Sequence, residues 1–392
     1  MYDVVVIGAG PAGSMTALRL AEHGHQVVML EEHEAVGAPV HCTGLLGFDA
    51  FDEFDLPRRL VLGEARSARF WGAAGESVLV ESDRISAAVI DRMALDVHLA
   101  DRACAAGAEL RRGWRAESIR VSSAGVTVSG HDGVSPVRAR AAVLACGANY
   151  RFHKTLGLGV PSVFLQSAQL DAPFPNMPDV EVRFGRQVAP GGFAWLVPLT
   201  RDGQSRARIG LMSQTKAKDR LVAFLGALCE RRGIDPATMP TPRLKILPLA
   251  PVDRTYGDRV VAVGDAAGLV KPTTGGGIYY GLLSGALAAA VLSDGLATDR
   301  LDARVLRRYE SEWRGRLGEE IRVGLMFRRV AADLSDESID ALIELGRVNG
   351  IVPLLKEKAS FNWHRKAAMA LLANRSFRRI VFKSWRESVG LI

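Results

Sequence analysis

The sequence predicts an α/β (α+β) protein in which a parallel-sheet domain is interleaved with an antiparallel-sheet domain and followed by a helical C-terminal region. Three observations carry this: an apolar strand, glycine turn, helix and second strand at the very N-terminus, a block of alternating strands between proline-bearing loops in the middle, and helical patterning from about residue 301 onward. The 392 residues are 48% hydrophobic and 24% charged, a balance that buries large cores and excludes a disordered or fibrous chain. The length suits two or three domains.

Tyr2-Asp3-Val4-Val5-Val6-Ile7 is an apolar run that ends on glycine, as buried parallel strands do. Residues 11–24 follow with helical spacing through Ala12, Ala17, Leu18, Leu20 and Ala21, and 26–30 supply the next strand. A second helix is predicted over 87–106 from Val89, Ile90, Met93, Leu95, Val97, Leu99 and Ala103, and a strand over 142–145 follows a hairpin-like stretch. Strands are then expected at 163–170, 180–184, 193–198 and 207–212, with Pro173, Pro175, Pro178 and Pro190 in the loops and one helix, 217–232, closing the block. A further strand over 259–263 runs into Gly264-Asp265-Ala266-Ala267-Gly268, and a buried helix over 278–292 follows.

The net charge is +7. Residues 301–392 hold 18 Lys+Arg against 12 Asp+Glu, so almost all of the excess lies in the last quarter of the chain. No basic recognition motif accompanies it, which sets nucleic acid aside. The four cysteines, Cys42, Cys104, Cys146 and Cys229, form no C-x-x-C pair, so neither a metal site nor a disulfide framework is indicated and a reducing compartment is expected. The N-terminus lacks the basic n-region of a signal peptide, and the longest uncharged apolar stretch, 278–292, falls short of the ~20 residues of a spanning helix. A cytoplasmic protein is expected, with peripheral membrane association as an option.

Glycine stands out at 40 residues, about 10% where roughly 7% is usual, and two loops use the excess. Gly8-Ala9-Gly10-Pro11-Ala12-Gly13 lies between strand and helix, the context of a dinucleotide fingerprint. There Gly8 permits the tight turn, Gly10 lets a pyrophosphate approach, Gly13 lets helix and strand pack, and Ala12 lies at the positive helix end. Glu31, 18 residues past Gly13 at the end of the second strand, is placed to accept hydrogen bonds from a ribose. In the second loop a strand ends on Asp265, suited to a polyol hydroxyl, and Gly275-Gly276-Gly277 open the helix at Ile278. Bare amides at a helix start form a site for an anion or the polar edge of a flat ring.

These motifs, with Ile90-Asp91-Arg92 opening a helix that ends Ala105-Ala106-Gly107-Ala108, resemble the geranylgeranyl reductase family of para-hydroxybenzoate-hydroxylase-like FAD-dependent oxidoreductases over nearly the whole chain. Two segments are more diagnostic. Val36-Gly37-Ala38-Pro39-Val40-His41-Cys42-Thr43-Gly44-Leu45-Leu46 is similar to the family's cysteine-containing flavin-edge loop, and Pro190-Gly191-Gly192-Phe193-Ala194-Trp195-Leu196-Val197-Pro198 to its P-x-x-Y-x-W-x-F-P segment. Phe193 and Val197 depart from the usual Tyr and Phe, Cys146 stands where the wider superfamily has Asp-Gly, and Thr43 follows Cys42 where many members have Gly-Glu.

The resemblance implies a Rossmann-like FAD-binding domain over residues 1–160 and 247–300, an antiparallel-sheet substrate domain over 161–246 that 66–84 could join, and a helical region over 301–392. It implies FAD contacts at Gly8, Gly10, Ala12, Gly13, Glu31, Cys42, Gly44, Arg92, Ala116, Asp265, Gly276, Gly277 and Ile278. Arg92 is carried over as a phosphate or ribose contact against the alternative of a solvated helix-start charge, and Ala116 by register alone. Phe193 and Trp195, two apart on a strand, share a face and read as a flat apolar wall for an isoprenoid chain or as ordinary sheet packing. Cys42 is the candidate catalytic residue, as proton donor or substrate guide, against the alternative of a small buried hydrophobe; His41 reads as a peripheral group.

The chemistry implied is reduction of carbon–carbon double bonds by hydride from reduced FAD, with Cys42, His41 or water as proton source. One fingerprint is present and FAD occupies it, so NAD(P)H or a reduced carrier protein must dock transiently. A halogenase needs an active-site lysine in its N-terminal half, whereas the first lysine here is Lys154. Monooxygenation, and electron transfer to a quinone without alkene chemistry, are the competing expectations. Finally, Arg365, Lys366, Arg375, Arg378, Arg379, Lys383 and Arg386, interleaved with Phe361, Trp363, Phe377, Phe382 and Trp385, suggest that 361–387 lies on an anionic bilayer or, equally, packs with a solvated basic face.

Overall fold

The structure, a computed structural model, describes residues 1–82, 86–131, 133–348, 351–358 and 360–388. The chain divides into two compact units, each assembled from three separate stretches: Met1–Val40, Arg92–Val163 and Pro248–Ile321 in one, and His41–Asp91, Phe164–Leu247 and Arg322–Ile392 in the other.

The first unit is built on a sheet ordered Tyr256–Gly257, Val260–Ala262, Val137–Leu144, Tyr2–Ile7, Val27–Leu30, Glu109–Arg111. From Val260–Ala262 to Glu109–Arg111 neighbouring strands run parallel, and the hairpin Ala116–Ser122/Gly125–Gly130 adds to Val137–Leu144. Val4, Val5, Val6, Val27, Val28 and Met29 are almost wholly buried, which explains why these strands carry unbroken apolar runs. The helix Pro11–Glu22 packs against Arg92–Ala105 and Ile278–Ala297. At the second contact backbones come close: a Cβ on Gly285 would stand 2.5 Å from the Ala12 carbonyl oxygen.

Three expectations change here. Residues 87–90 are a strand, not the start of a helix: Ala87, Ala88, Val89 and Ile90 are all buried and pair with Leu45–Gly47 and Val61–Ala65. Four consecutive buried apolar residues suit a strand enclosed on both faces, and the helix begins only at Arg92. The helix from Ile278 reaches Ala297, long and apolar enough by composition to cross a membrane, yet 67% of that window is buried in the protein. The helices past 301 are also no separate region. Ala303–Trp313 belongs to the first unit, where the Tyr309 hydroxyl donates to Ala262 O at 2.9 Å and Trp313 Nε1 to Thr255 Oγ1 at 2.9 Å, whereas the helices from Asp336 onward belong to the second.

The second unit carries a seven-stranded sheet ordered Arg243–Pro248, Phe164–Pro173, Gln204–Ser213, Phe193–Arg201, Val180–Arg183, Ser67–Trp71, Ser77–Glu81. The strands at 67–71 and 77–81 thus extend this sheet; residues 83 and 84 of the proposed 66–84 insertion lie outside the described residues. Alternation decides its two faces. Ala168, Leu170, Leu196, Ile209 and Leu211 pack with Leu221, Phe224, Leu225 and Leu228 of the helix Ala217–Arg232 into one core. The opposite face presents Gln169, Asp171, Phe193, Trp195, Arg208 and Met212.

Candidate functional site

The fingerprint turn is shaped as its glycines require. Gly8 has φ +105° and a Cβ there would lie 2.4 Å from Ala145 O, while one on Gly13 would lie 2.0 Å from Gly8 O. Both positions are closed by backbone. Gly10, which precedes the helix, meets nothing within 4 Å, so bare backbone at a helix N-terminus faces open space, as a pyrophosphate needs. Glu31 is 9% exposed; its Oε2 accepts from the Ala9 amide at 3.0 Å and its Oε1 from the His33 amide and Nδ1 at 3.0 and 2.6 Å. The carboxylate is thereby held against the turn.

The second glycine loop converges on the first through Ala12, whose methyl lies 2.8 and 3.5 Å from Cβ positions built on Gly264 and Gly281. Ala12 is thus a packing residue as well as a helix-start residue. Asp265 Oδ1 lies 2.7 Å from a Cβ built on Gly277, which brings Asp265, Gly277 and Ile278 together at the start of the long helix. Gly276 is closed by a lysine the sequence reading missed: Lys271 is 4% exposed, its Cε would meet a Gly276 Cβ at 2.7 Å, and its amide donates to Gly276 O at 3.0 Å. Its signal was available, because Lys271 is the one charged residue between Asp265 and Asp294. Tyr150 and His153 brace the same loop, donating to Asp265 O and Ala266 O at 2.7 Å each.

Arg92 and Ala116 each have a partner within the first unit. Arg92 Nη2 contacts both oxygens of Asp96 at 2.8 Å, and the Ala116 carbonyl accepts from the Arg151 guanidinium. Cys146 follows the strand end beside Gly8; burial pushes its thiol up to about 11, and its Sγ donates to Asn149 O at 3.2 Å.

In the second unit Cys42 is half-buried and its Sγ accepts from the Gly44 amide at 3.3 Å. The next residue ties this loop to the sheet: Thr43 Oγ1 donates to Gln169 Oε1 at 2.9 Å, and Arg208 Nη1 donates to Thr43 O at 2.7 Å and Ile90 O at 2.9 Å. Gln169 and Arg208 lie on the same face as Phe193 and Trp195, so the cysteine loop and the aromatic pair share one surface. That pair is not a flat wall. The rings of Phe193 and Trp195 meet edge to face at 5.9 Å and 65°, and Phe184 adds to Phe193 at 5.9 Å and 62°, the inclination that ring quadrupoles favour. His41 is held neutral, its ring lowered below the usual imidazole range by burial and by Lys245 and Arg243, which makes it a poor acid near pH 7. Among the described residues no group of three His, Cys, Asp or Glu could hold a metal ion.

The first unit thus carries a dinucleotide turn with its acid in register and a second glycine loop built around an aspartate, and the second unit a sheet face with cysteine and aromatic rings; the class these features belong to is that of the FAD-dependent oxidoreductases. The family described as lycopene cyclase protein matches residues 3–334. Digeranylgeranylglycerophospholipid reductase 2 of Methanothermobacter thermautotrophicus is 31% identical over 87% of this chain and 91% of its own. A geranylgeranyl bacteriochlorophyll reductase-like protein from Thermoplasma acidophilum superposes at a TM-score of 0.84 with 22% identity over 99% of both chains. A variant of the halogenase PltM, solved in complex with FAD, shares the fold at 0.64 and 17% identity over 98% of this chain and 91% of its own. The chain belongs to the geranylgeranyl reductase family.

Proposed function

We infer that this protein is an FAD-dependent oxidoreductase that saturates carbon–carbon double bonds of a geranylgeranyl or related isoprenoid chain carried on a lipid, a diphosphate or a quinone. The observation that carries this reading is the face on which the Cys42 loop, Phe193 and Trp195 lie together, aromatic rings beside a proton-bearing group. The glycine turns fit the cofactor: Gly8, Gly10, Ala12, Gly13 and Glu31 would hold its pyrophosphate and ribose, and Asp265, Gly276, Gly277 and Ile278 its ribityl chain and ring edge. Bound and reduced, FAD supplies hydride. This chain's residues then have three tasks: to exclude water, to hold a poorly electrophilic alkene in place, and to protonate its second carbon. The electron donor, NAD(P)H or a reduced carrier protein, docks transiently.

Mass spectrometry of isoprenoid lipids incubated anaerobically with protein and reductant tests this. The expected result is a gain of two hydrogens per saturated bond. Incorporated oxygen under air would make it a monooxygenase, flavin bleaching by quinone without saturated product an electron carrier, and an isomer of unchanged mass would point to cyclisation.

Such a substrate sits in a bilayer, and the helix Arg375–Ser388 is suited to reach one. Phe377 and Ser384 face inward, while Phe382 and Trp385 are 58% and 48% exposed on a side that also carries Arg375, Arg378, Arg379, Lys383 and Arg386. Each such cation contributes about 1 kcal/mol at an anionic surface. Deleting the segment is a poor test, because Phe377 packs with Leu345 and Ile351 in a core cluster. Replacing both Phe382 and Trp385 with serine leaves that core intact and should weaken binding to phosphatidylglycerol vesicles about tenfold in a sedimentation assay; unchanged binding would remove the docking role.

A further inference from the structure

We propose that Arg208 is a positioning residue for Cys42, holding the Cys42-Thr43-Gly44 loop against the aromatic face of the sheet and supplying the positive charge that stabilises the thiolate left when Cys42 gives up its proton. This rests on the reading of Cys42 as proton donor. In that step the S–H bond breaks, its electron pair stays on sulfur and the proton goes to the alkene carbon that hydride does not reach; solvent later restores the thiol.

The Arg208 side chain is 2% exposed. A guanidinium so far from water is strongly disfavoured unless its environment compensates it, and here the compensation is incomplete in one direction. Nη1 is spent on two backbone carbonyls, Thr43 O at 2.7 Å and Ile90 O at 2.9 Å. These fix the strand Ala87–Ile90 and the cysteine loop at one point. Asp171, across the strand pair in register, lies 3.4 Å from Arg208 Nε, but its carboxylate is shared: Arg206 Nε is closer at 2.6 Å and Arg201 lies at 3.7 Å. One carboxylate therefore faces three guanidiniums, with Asp91 relieving Arg201 at 3.6 Å.

Arg208 reaches the cysteine loop directly, its Nη1 lying 2.7 Å from the carbonyl oxygen of the residue that follows Cys42. On the loop itself the Gly44 amide points at the sulfur and His41 is neutral beside Arg243 and Lys245; from the neighbouring strand Gln169 is spent on Thr43. The acids among these groups are Asp171 and Asp91, which together meet three arginines. An independent sign that this face receives a ligand is Trp195 Nε1, a buried donor in a residue only 9% exposed that has no hydrogen-bond partner among the described residues. It projects from the residue two positions before Val197, which pairs with Arg208.

The test is the rate at which iodoacetamide alkylates Cys42 in the full-length holoprotein at fixed pH, resolved from the other cysteines by peptide mass spectrometry. Opposite charge at this range changes thiolate population by about tenfold or more. Arg208→Met combined with Asp171→Asn, which leaves no unpaired buried carboxylate, should slow alkylation by about that factor, and Arg208→Lys should recover most of it. Asp171→Asn alone keeps Arg208 and both carbonyl contacts, so it must speed alkylation several-fold. A purely structural role predicts no such increase. Equal rates in folded Asp171→Asn and wild type overturn the proposal, even if the double variant fails to fold. The readout needs no turnover, so the reductase reading fails separately, by the absence of saturated product.

Discussion

Gly13→Val is expected to yield a protein that retains no flavin and is destabilised by about 1–3 kcal/mol or more. A Cβ at this position would stand 2.0 Å from Gly8 O and 2.9 Å from the Ala145 methyl. Neither neighbour can move aside, because the Gly8 amide is bonded to Leu30 O at 2.8 Å and the Ala145 amide to Ile7 O at 2.9 Å. Helix and sheet would have to separate, and the turn would lose its shape. Gly10→Ala is the informative partner. Gly10 has φ −73° and ψ −177°, which alanine adopts freely, and its Cβ would meet nothing. Thermal stability should therefore change by no more than about 0.5 kcal/mol, while flavin retention, read from the visible spectrum of the purified protein, should be lost because the methyl stands where phosphate must approach. A Gly10→Ala protein with a full complement of flavin would show that the pyrophosphate does not lie over this turn.

Cys42→Ala should lower double-bond saturation by about 10²–10⁴-fold, the usual effect of removing a general acid, with the flavin still reducible by dithionite. The loss should fall on kcat rather than KM, since Phe193 and Trp195 remain to hold the chain. His41→Gln is the control. Its ring is lowered below the usual imidazole range by burial and two nearby cations, so little of the acidic imidazolium is present near neutral pH, and the rate should stay within a few-fold of wild type. Single-turnover oxidation of the reduced flavin by lipid substrate measures both. A Cys42→Ala protein within a few-fold of wild type would transfer the proton-donor role to ordered water.

Much of the first unit was legible without coordinates, because its chemistry is local. A strand, a glycine turn and a helix occupy consecutive residues, and the constraints on Gly8, Gly10 and Gly13 arise from backbone a few positions away. The same holds for Gly264-Asp265 and the three glycines before Ile278, although the pairing of Asp265 with Gly277 required the intervening loop to fold back on Lys271. The misreadings share a cause as well. Residues 87–90 carry apolar side chains that satisfy a helical period and a buried strand alike, and only their pairing with Leu45–Gly47 and Val61–Ala65 decides between them.

Arg208 was overlooked for a related reason. Within Ala207-Arg208-Ile209-Gly210 it looks like the polar half of an alternating strand, and nothing in that stretch tells whether its side points to water or to another loop. Its partners Thr43 and Ile90 lie 165 and 118 residues away in sequence. Cysteine, aromatic pair and arginine thus become one surface only when strands from three distant parts of the chain assemble. Backbone geometry within a turn is encoded by the residues of that turn, so the shape of the two glycine loops could be read from spacing. The burial of a charge and the company of a thiol depend on what long-range pairing brings opposite them, and that was settled by the fold.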